Sequence, residues 1–181
     1  MRRYLFSRVL WKNRIPLLKK EEKWLIFPLI FFLILCYFLY VKGLMFFEVP
    51  SASMEPTLKP GDKVIAFKIK EIKRGDVVIF YHPEDKKEVM VKRVIGLPGE
   101  KIKIHGGKVY INGKPLEEPY IKEPPIYDYP ETKIPPGHYF LLGDNRNNSQ
   151  DSSIFGPVPR ELIFGKDIFI YWPPSRWGRI E

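Results

Sequence analysis

A chain of 181 residues with 45% hydrophobic and 28% charged residues is long enough for one folded domain and a small appendage, and too apolar to be disordered. The net charge of +9 raises nucleic acid as a partner, but eight of the 30 Lys+Arg and only two of the 21 Asp+Glu lie in residues 1–23. The other 158 residues carry an excess of just +3, and the charge belongs to an arm rather than to a phosphate-binding face. Cys36 is the only cysteine, which excludes an intrachain disulfide and a thiolate metal cluster.

In chain order, residues 1–23 form that basic arm, with Arg2, Arg3, Arg8, Lys12, Arg14, Lys19, Lys20 and Lys23. Trp24 to Val41 follows without a charge. As a helix it would be about 27 Å long at 1.5 Å per residue, close to the hydrocarbon thickness of a bilayer. A buried core helix is the alternative, but apolarity on every face beside a basic cluster predicts a transmembrane helix over 24–42. The positive-inside rule then places the N-terminus in the cytoplasm and residues 43–181 outside. A removable signal peptide ending near Ser51-Ala52-Ser53 is the rival; an arm of 23 residues and an apolar stretch of 18 are both long for one. Leu44 to Phe47 extends the apolar character as a linker held at the interface, with Ser53 at most about 40 Å beyond Val41.

Residues 43–181 read as an all-β domain of antiparallel sheets. Short apolar stretches alternate with Gly and Pro turns: Lys63–Phe67, Val77–Tyr81, Val89–Ile95, Tyr139–Leu142 and Ile168–Trp172. Lys101–Ile104 and Lys108–Ile111 flank His105-Gly106-Gly107 as a hairpin. Residues 114–137 hold seven prolines and read as an extended loop, since proline cannot donate to a ladder.

Three stretches carry chemistry. Pro50-Ser51-Ala52-Ser53-Met54-Glu55-Pro56-Thr57-Leu58 sets small hydroxyl residues at 51 and 53 between prolines that stiffen the loop, although Ser-x-Ser alone is more often a solvated turn. On a strand over 89–95, Lys92 shares a face with Met90 and Val94, and burial there lowers a lysine pKa toward that of a general base; Arg93 adds a like charge. A lone lysine is otherwise commonly a surface residue. Gly143 to Ser153 is dense in short polar groups, suited either to orienting another side chain or to an exposed Asx-rich turn.

In this order behind an apolar span, the three stretches resemble the bacterial type I signal peptidase family over most of the chain. The resemblance implies Ser53 as nucleophile and Lys92 as general base. It also implies Ser51 beside the Ser53 N–H as oxyanion donor, Ser149 as a hydrogen-bond partner of the lysine, and Asp144 and Asp151 as structural supports. It implies no metal and no cofactor, a phospholipid membrane as location, and preproteins as substrates, cleaved after small residues at −3 and −1. Two positions depart from the family pattern: Asn147 where Asp is common, and Ser153 where Arg is common. Without that Arg the partner of Asp151 is open, with Arg146 and Arg93 as substitutes. His82, His105 and His138 lie in turn-like contexts and there is no H-E-x-x-H, which disfavours a Ser–His pair and zinc proteolysis. A non-catalytic, membrane-anchored β-domain that binds secreted chains, and a Ser–Lys peptidase devoted to one client, are the competing functions.

Overall fold

The computed structural model describes residues 23–180, with the side chains of residues 23–25, 38, 41, 42 and 167 outside that description; of the basic arm expected over 1–23, all but the backbone of Lys23 lies outside it too. The chain divides into two compact units, residues 1–40 and 41–181. In order, the elements are helix α1 (Lys23–Lys42), strands β1 (Leu44–Glu48), β2 (Lys63–Lys68), β3 (Val77–Tyr81), β4 (Val89–Gly96), β5 (Lys101–His105), β6 (Lys108–Ile111), β7 (Lys114–Pro115), β8 (Tyr129–Lys133) and β9 (His138–Leu142). A short helix α2 (Ser152–Phe155) and strands β10 (Val158–Pro159), β11 (Ile163–Trp172) and β12 (Gly178–Arg179) follow.

The first unit contains most of α1. Its described side chains, among them Phe27, Ile30, Phe31, Ile34 and Tyr37, are exposed and apolar with no polar stripe, unlike a helix that packs one face on a core. Among the described residues no helix is long and apolar enough to cross a membrane.

The second unit is antiparallel β, as expected. Strands run in the order β1-β2-β11-β3-β4-β9-β10 in one sheet, with β12 on β11, and β7-β6-β5-β8 in another. Strand β3 is apolar at four successive positions because both its faces are covered. Val77 and Ile79 join Met54, Leu58, Ala66 and Ile170 in one cluster. Val78 and Phe80 join Met90, Val94, Leu141 and Ile163 in another. The second sheet alternates, with Ile102 and Ile104 buried against Ile95, Phe140 and Leu142 while Lys101 and Lys103 face out. Its β5–β6 hairpin closes through Gly106 and Gly107, both at positive φ (57° and 75°), as a two-residue turn matched to strand twist requires.

Three expectations change. Leu44–Phe47 is not a linker: it is β1, paired with β2 from Leu44↔Phe67 to Phe47↔Val64. Four apolar residues that follow almost directly on the uncharged stretch 24–41 read as its continuation rather than as a separate strand. Residues 129–133, inside the Pro-rich stretch, form β8 at the edge of the second sheet. Pro130 sits where its pairing with β5 shifts register, between Ile104↔Tyr129 and Ile102↔Thr132, a position where a missing N–H costs no ladder bond. Strand β11 starts at Ile163 rather than Ile168; its register shifts between Lys166 and Phe169 hide the alternation.

Candidate active site

Ser53 lies in a tight turn between β1 and β2. Two apolar anchors pull this turn into the core: Met54 and Leu58 are fully buried, and the Leu58 N–H donates to Met54 O. From the other side Asn145 grips it, its N–H donating to Ser53 O at 3.1 Å and its Nδ2 to Ala52 O at 3.0 Å. The serine is thereby fixed by groups on both flanks.

Lys92 comes from β4, where it stands opposite Val78 and shares its face with Met90 and Val94. It is 3% exposed. Its Nζ donates to Ser53 Oγ at 2.8 Å and to Val91 O at 3.1 Å. Ser51 Oγ is 3.2 Å from Ser53 Oγ. Burial pushes the amine from its ordinary 10.5 down to about 8, against the opposing pull of the charges on Asp151, Glu88 and Asp144. Burial, rather than the like charge expected from Arg93, leads this shift; the Arg93 guanidinium is held by a carboxylate of its own.

Its partner is Asp144. Arg93 Nε donates to Oδ1 at 2.9 Å and Nη2 to Oδ2 at 2.8 Å, a buried bidentate pair. Thr57 of the nucleophile turn also donates to Asp144, and Arg93 Nη2 reaches Thr57 Oγ1 at 3.3 Å. Asp144 thus ties the turn carrying Ser53 to the strand carrying Lys92. Asp151 pairs with neither Arg93 nor Arg146. It accepts from the Gly143 N–H (3.0 Å), the Ser153 N–H (3.0 Å) and Ser153 Oγ (2.7 Å), capping α2, so Ser153 itself occupies the place of the missing arginine. Asn147 accepts from the Ile126 N–H at 3.0 Å and donates to Pro124 O at 3.1 Å; an aspartate could not donate the second bond.

Ser149 differs from the expectation. It lines the same cavity as Ser53 and Lys92, but its Oγ is buried without a hydrogen-bond partner, while the two bonds of Lys92 go to Ser53 and Val91. Gly143 packs tightly against it: a Cβ there would lie 2.3 Å from Ser149 Oγ and 2.5 Å from Ser53 O. Only glycine lets this backbone approach so closely. Gly143, Asn145 and Thr57 are therefore site residues to which sequence reasoning gave no role, though Gly143 and Asn145 lie inside the polar run and Thr57 inside the Ser53 stretch it singled out.

The histidines are engaged elsewhere. His82 Nδ1 accepts backbone N–H groups of Glu84 and Asp85, His105 pairs with Asp128, and His138 contacts Pro136 O. Among the described residues no group of three or more His, Cys, Asp or Glu could hold a metal ion.

A dry hydroxyl–amine pair on an antiparallel β scaffold defines a serine protease of the Ser–Lys class. The family model described as signal peptidase, peptidase S26, matches residues 22–172. This chain belongs to that family. It is 45% identical to signal peptidase I of Leptolyngbya laminosa, over 73% of this chain and 70% of that protein. It is 35% identical to signal peptidase IB of Staphylococcus aureus, over 88% of this chain and 94% of that protein. A crystal structure of a signal peptidase I from Enterococcus faecalis aligns at 34% identity, covering 52% of this chain and 95% of that one, with a TM-score of 0.48.

Proposed function

We propose that this chain removes N-terminal signal peptides from exported preproteins, with Ser53 as nucleophile and Lys92 as general base. One observation carries the assignment: the 2.8 Å hydrogen bond from Lys92 Nζ to Ser53 Oγ inside an apolar setting that holds the amine near 8. A serine hydroxyl is a weak nucleophile until a base takes its proton, and an amine is a base only when neutral. Ser53 Oγ adds to the scissile carbonyl carbon as its proton passes to Lys92 Nζ. The oxyanion is held by the Ser53 N–H and the Ser51 hydroxyl. Collapse breaks the C–N bond, and the ammonium of Lys92 returns its proton to the departing amine. Water, deprotonated by the same amine, then hydrolyses the acyl ester and regenerates Ser53.

The substrate would bind as an added strand. Strand β9 pairs with β4 only from Arg93 onward, so the edge of Val89 to Val91 is not covered by β9. Between this edge and residues 47–51 runs a cavity of about 200 Å³ that reaches Ser53 and Lys92. An extended peptide laid there offers alternate side chains to it, and the small volume favours small residues at −3 and −1. Anchoring to a cytoplasmic membrane through residues 24–42, with the N-terminus inside and residues 43–181 outside, is supported by the uncharged stretch behind its basic arm. Exposed aromatics in the β unit, Phe46, Trp172 and Trp177, are of the type that sits at a membrane–water boundary.

Purified protein in detergent should cleave a preprotein after a small −1 residue, and Ser53→Ala and Lys92→Ala should each abolish cleavage while keeping a cooperative thermal transition. Full activity in both folded variants would sink the assignment. Binding of preproteins without cleavage would favour a non-catalytic receptor.

A further inference from the structure

The Pro-rich stretch does more than connect two sheets. Glu118, in the segment after β7, accepts from Arg146 Nη1 at 2.9 Å and Nη2 at 2.6 Å, and the two side chains are 5% and 0% exposed. Arg146 Nε donates in turn to Gly143 O at 2.9 Å. Gly143 is the residue whose backbone abuts Ser53 O and Ser149, and two residues on, the Asn145 N–H donates to Ser53 O. The same segment adds Tyr120, whose hydroxyl donates to Glu118 at 3.1 Å and whose ring stacks 4.1 Å from the Arg93 guanidinium carbon. The Lys122 N–H donates to Asp144 O. A continuous chain of contacts therefore runs from Glu118 through Arg146 to the polypeptide packed against Ser53.

We propose that Glu118 is a positioning residue for the Ser53–Lys92 pair: by pinning Arg146 it fixes the Gly143 carbonyl and keeps the buried run 143–146 packed against Ser53, closing water out of that side of the pair. A buried ion pair is a poor source of net stability, since desolvation offsets most of its attraction. What a bidentate guanidinium–carboxylate pair does supply is direction, and here the direction is toward the backbone touching Ser53. The inference rests on the reading that Ser53 and Lys92 carry the chemistry.

The sign of one measurement isolates this role. The charges acting on Lys92 are those of Asp151, Glu88 and Asp144, with Arg93 adjacent in sequence and bound to Asp144; Glu118 is not among them and faces Arg146, Tyr120 and Tyr127. Removing the negative charge of Glu118, or leaving Arg146 unpaired, can only disfavour the ammonium and shift the amine down. Admitting water on that side of the pair shifts it up.

The test is kcat/KM against pH from 6 to 10, on the full chain in detergent with a preprotein substrate, for Glu118→Gln, for Glu118→Met combined with Arg146→Met, and for Tyr120→Phe. The double variant leaves no unpaired buried charge, and Tyr120→Phe drops only one hydrogen bond, so folding is preserved where Glu118→Gln compromises it. The rising limb should move alkaline by about one unit in the first two, with activity at pH 7 down about tenfold and largely regained near pH 10, because one unit is tenfold in neutral amine. The loss should fall on kcat more than on KM, and Tyr120→Phe should show a smaller shift of the same sign. An unshifted limb in the folded variants, or an acid shift, overturns the proposal. Ser53→Ala and Lys92→Ala measured alongside separate the two readings: activity in those variants sinks the dyad, whereas their inactivity with unshifted Glu118 and Tyr120 variants sinks only the role of Glu118.

Discussion

Lys92 and Arg93 stand side by side on β4 and are almost equally dry, 3% and 1% exposed, yet they point to opposite faces and meet opposite surroundings. Arg93 finds a carboxylate at bidentate distance and keeps its charge as a clamp between Asp144, Thr57 and Gly75. Lys92 finds a hydroxyl and a carbonyl, with Val78, Met90 and Val94 around its stem. Burial with a partner produces a fixed ion, and burial without one produces a base. The difference between architecture and chemistry in this region is the position of one carboxylate.

The comparison can be broken by exchanging the two kinds of cation. Lys92→Arg keeps a charge at the site but cannot lose its proton. We expect a loss of about 10³-fold or more in kcat/KM, the upper range for removal of a general base, at every pH from 6 to 10. The wild-type rate should instead climb through pH 8 as the amine deprotonates. Next in size, Asp144→Asn breaks the buried bidentate pair with Arg93 and should lower the unfolding free energy in urea by about 3–5 kcal/mol.

Lys92→Met sharpens the contrast from the other side, since it should stabilise the fold while abolishing cleavage. The folded pKa of about 8 lies below the ordinary 10.5, so the unfolded chain binds more protons between these values and stability rises with pH across that window. At pH 6 to 7 the penalty is complete, and methionine should add up to about 3 kcal/mol in urea unfolding. That gain should shrink as pH is raised from 8 to 10.5. The smallest effect belongs to an exposed pair. Lys122→Ala breaks a 2.9 Å contact with Glu55 and should leave the urea midpoint almost unchanged in the same assay.

How far these features were legible depends on the distance along the chain over which each is encoded. Strand β3 and the β5–β6 hairpin were readable almost to the residue, because a short apolar run opened by a Gly-Asp turn, and alternation around a Gly-Gly turn, are carried by neighbouring positions. The apolar face of Lys92 follows from Met90 and Val94 on the same strand. Strands β1 and β8 were not readable: one merges with the apolar run before it, and the other carries a proline and aligns only through its partner. Ser149 was expected to meet the lysine and instead packs against Gly143, a matter of ångströms that residue type does not encode.

The sequence by itself determined a β-rich chain behind an uncharged stretch, the hydroxyls of Ser51 and Ser53, and an amine on a greasy strand face, all from local order. Tertiary structure decided which charges meet: Arg93 with Asp144 across 51 residues, Arg146 with Glu118 across 28, and Asp151 with its own neighbour Ser153 in place of an arginine. Coulomb attraction and hydrogen bonding act over a few ångströms of space, whereas residue order reports spacing along the chain. Several carboxylates compete for each cation, and only the packing of turns against strands selects one.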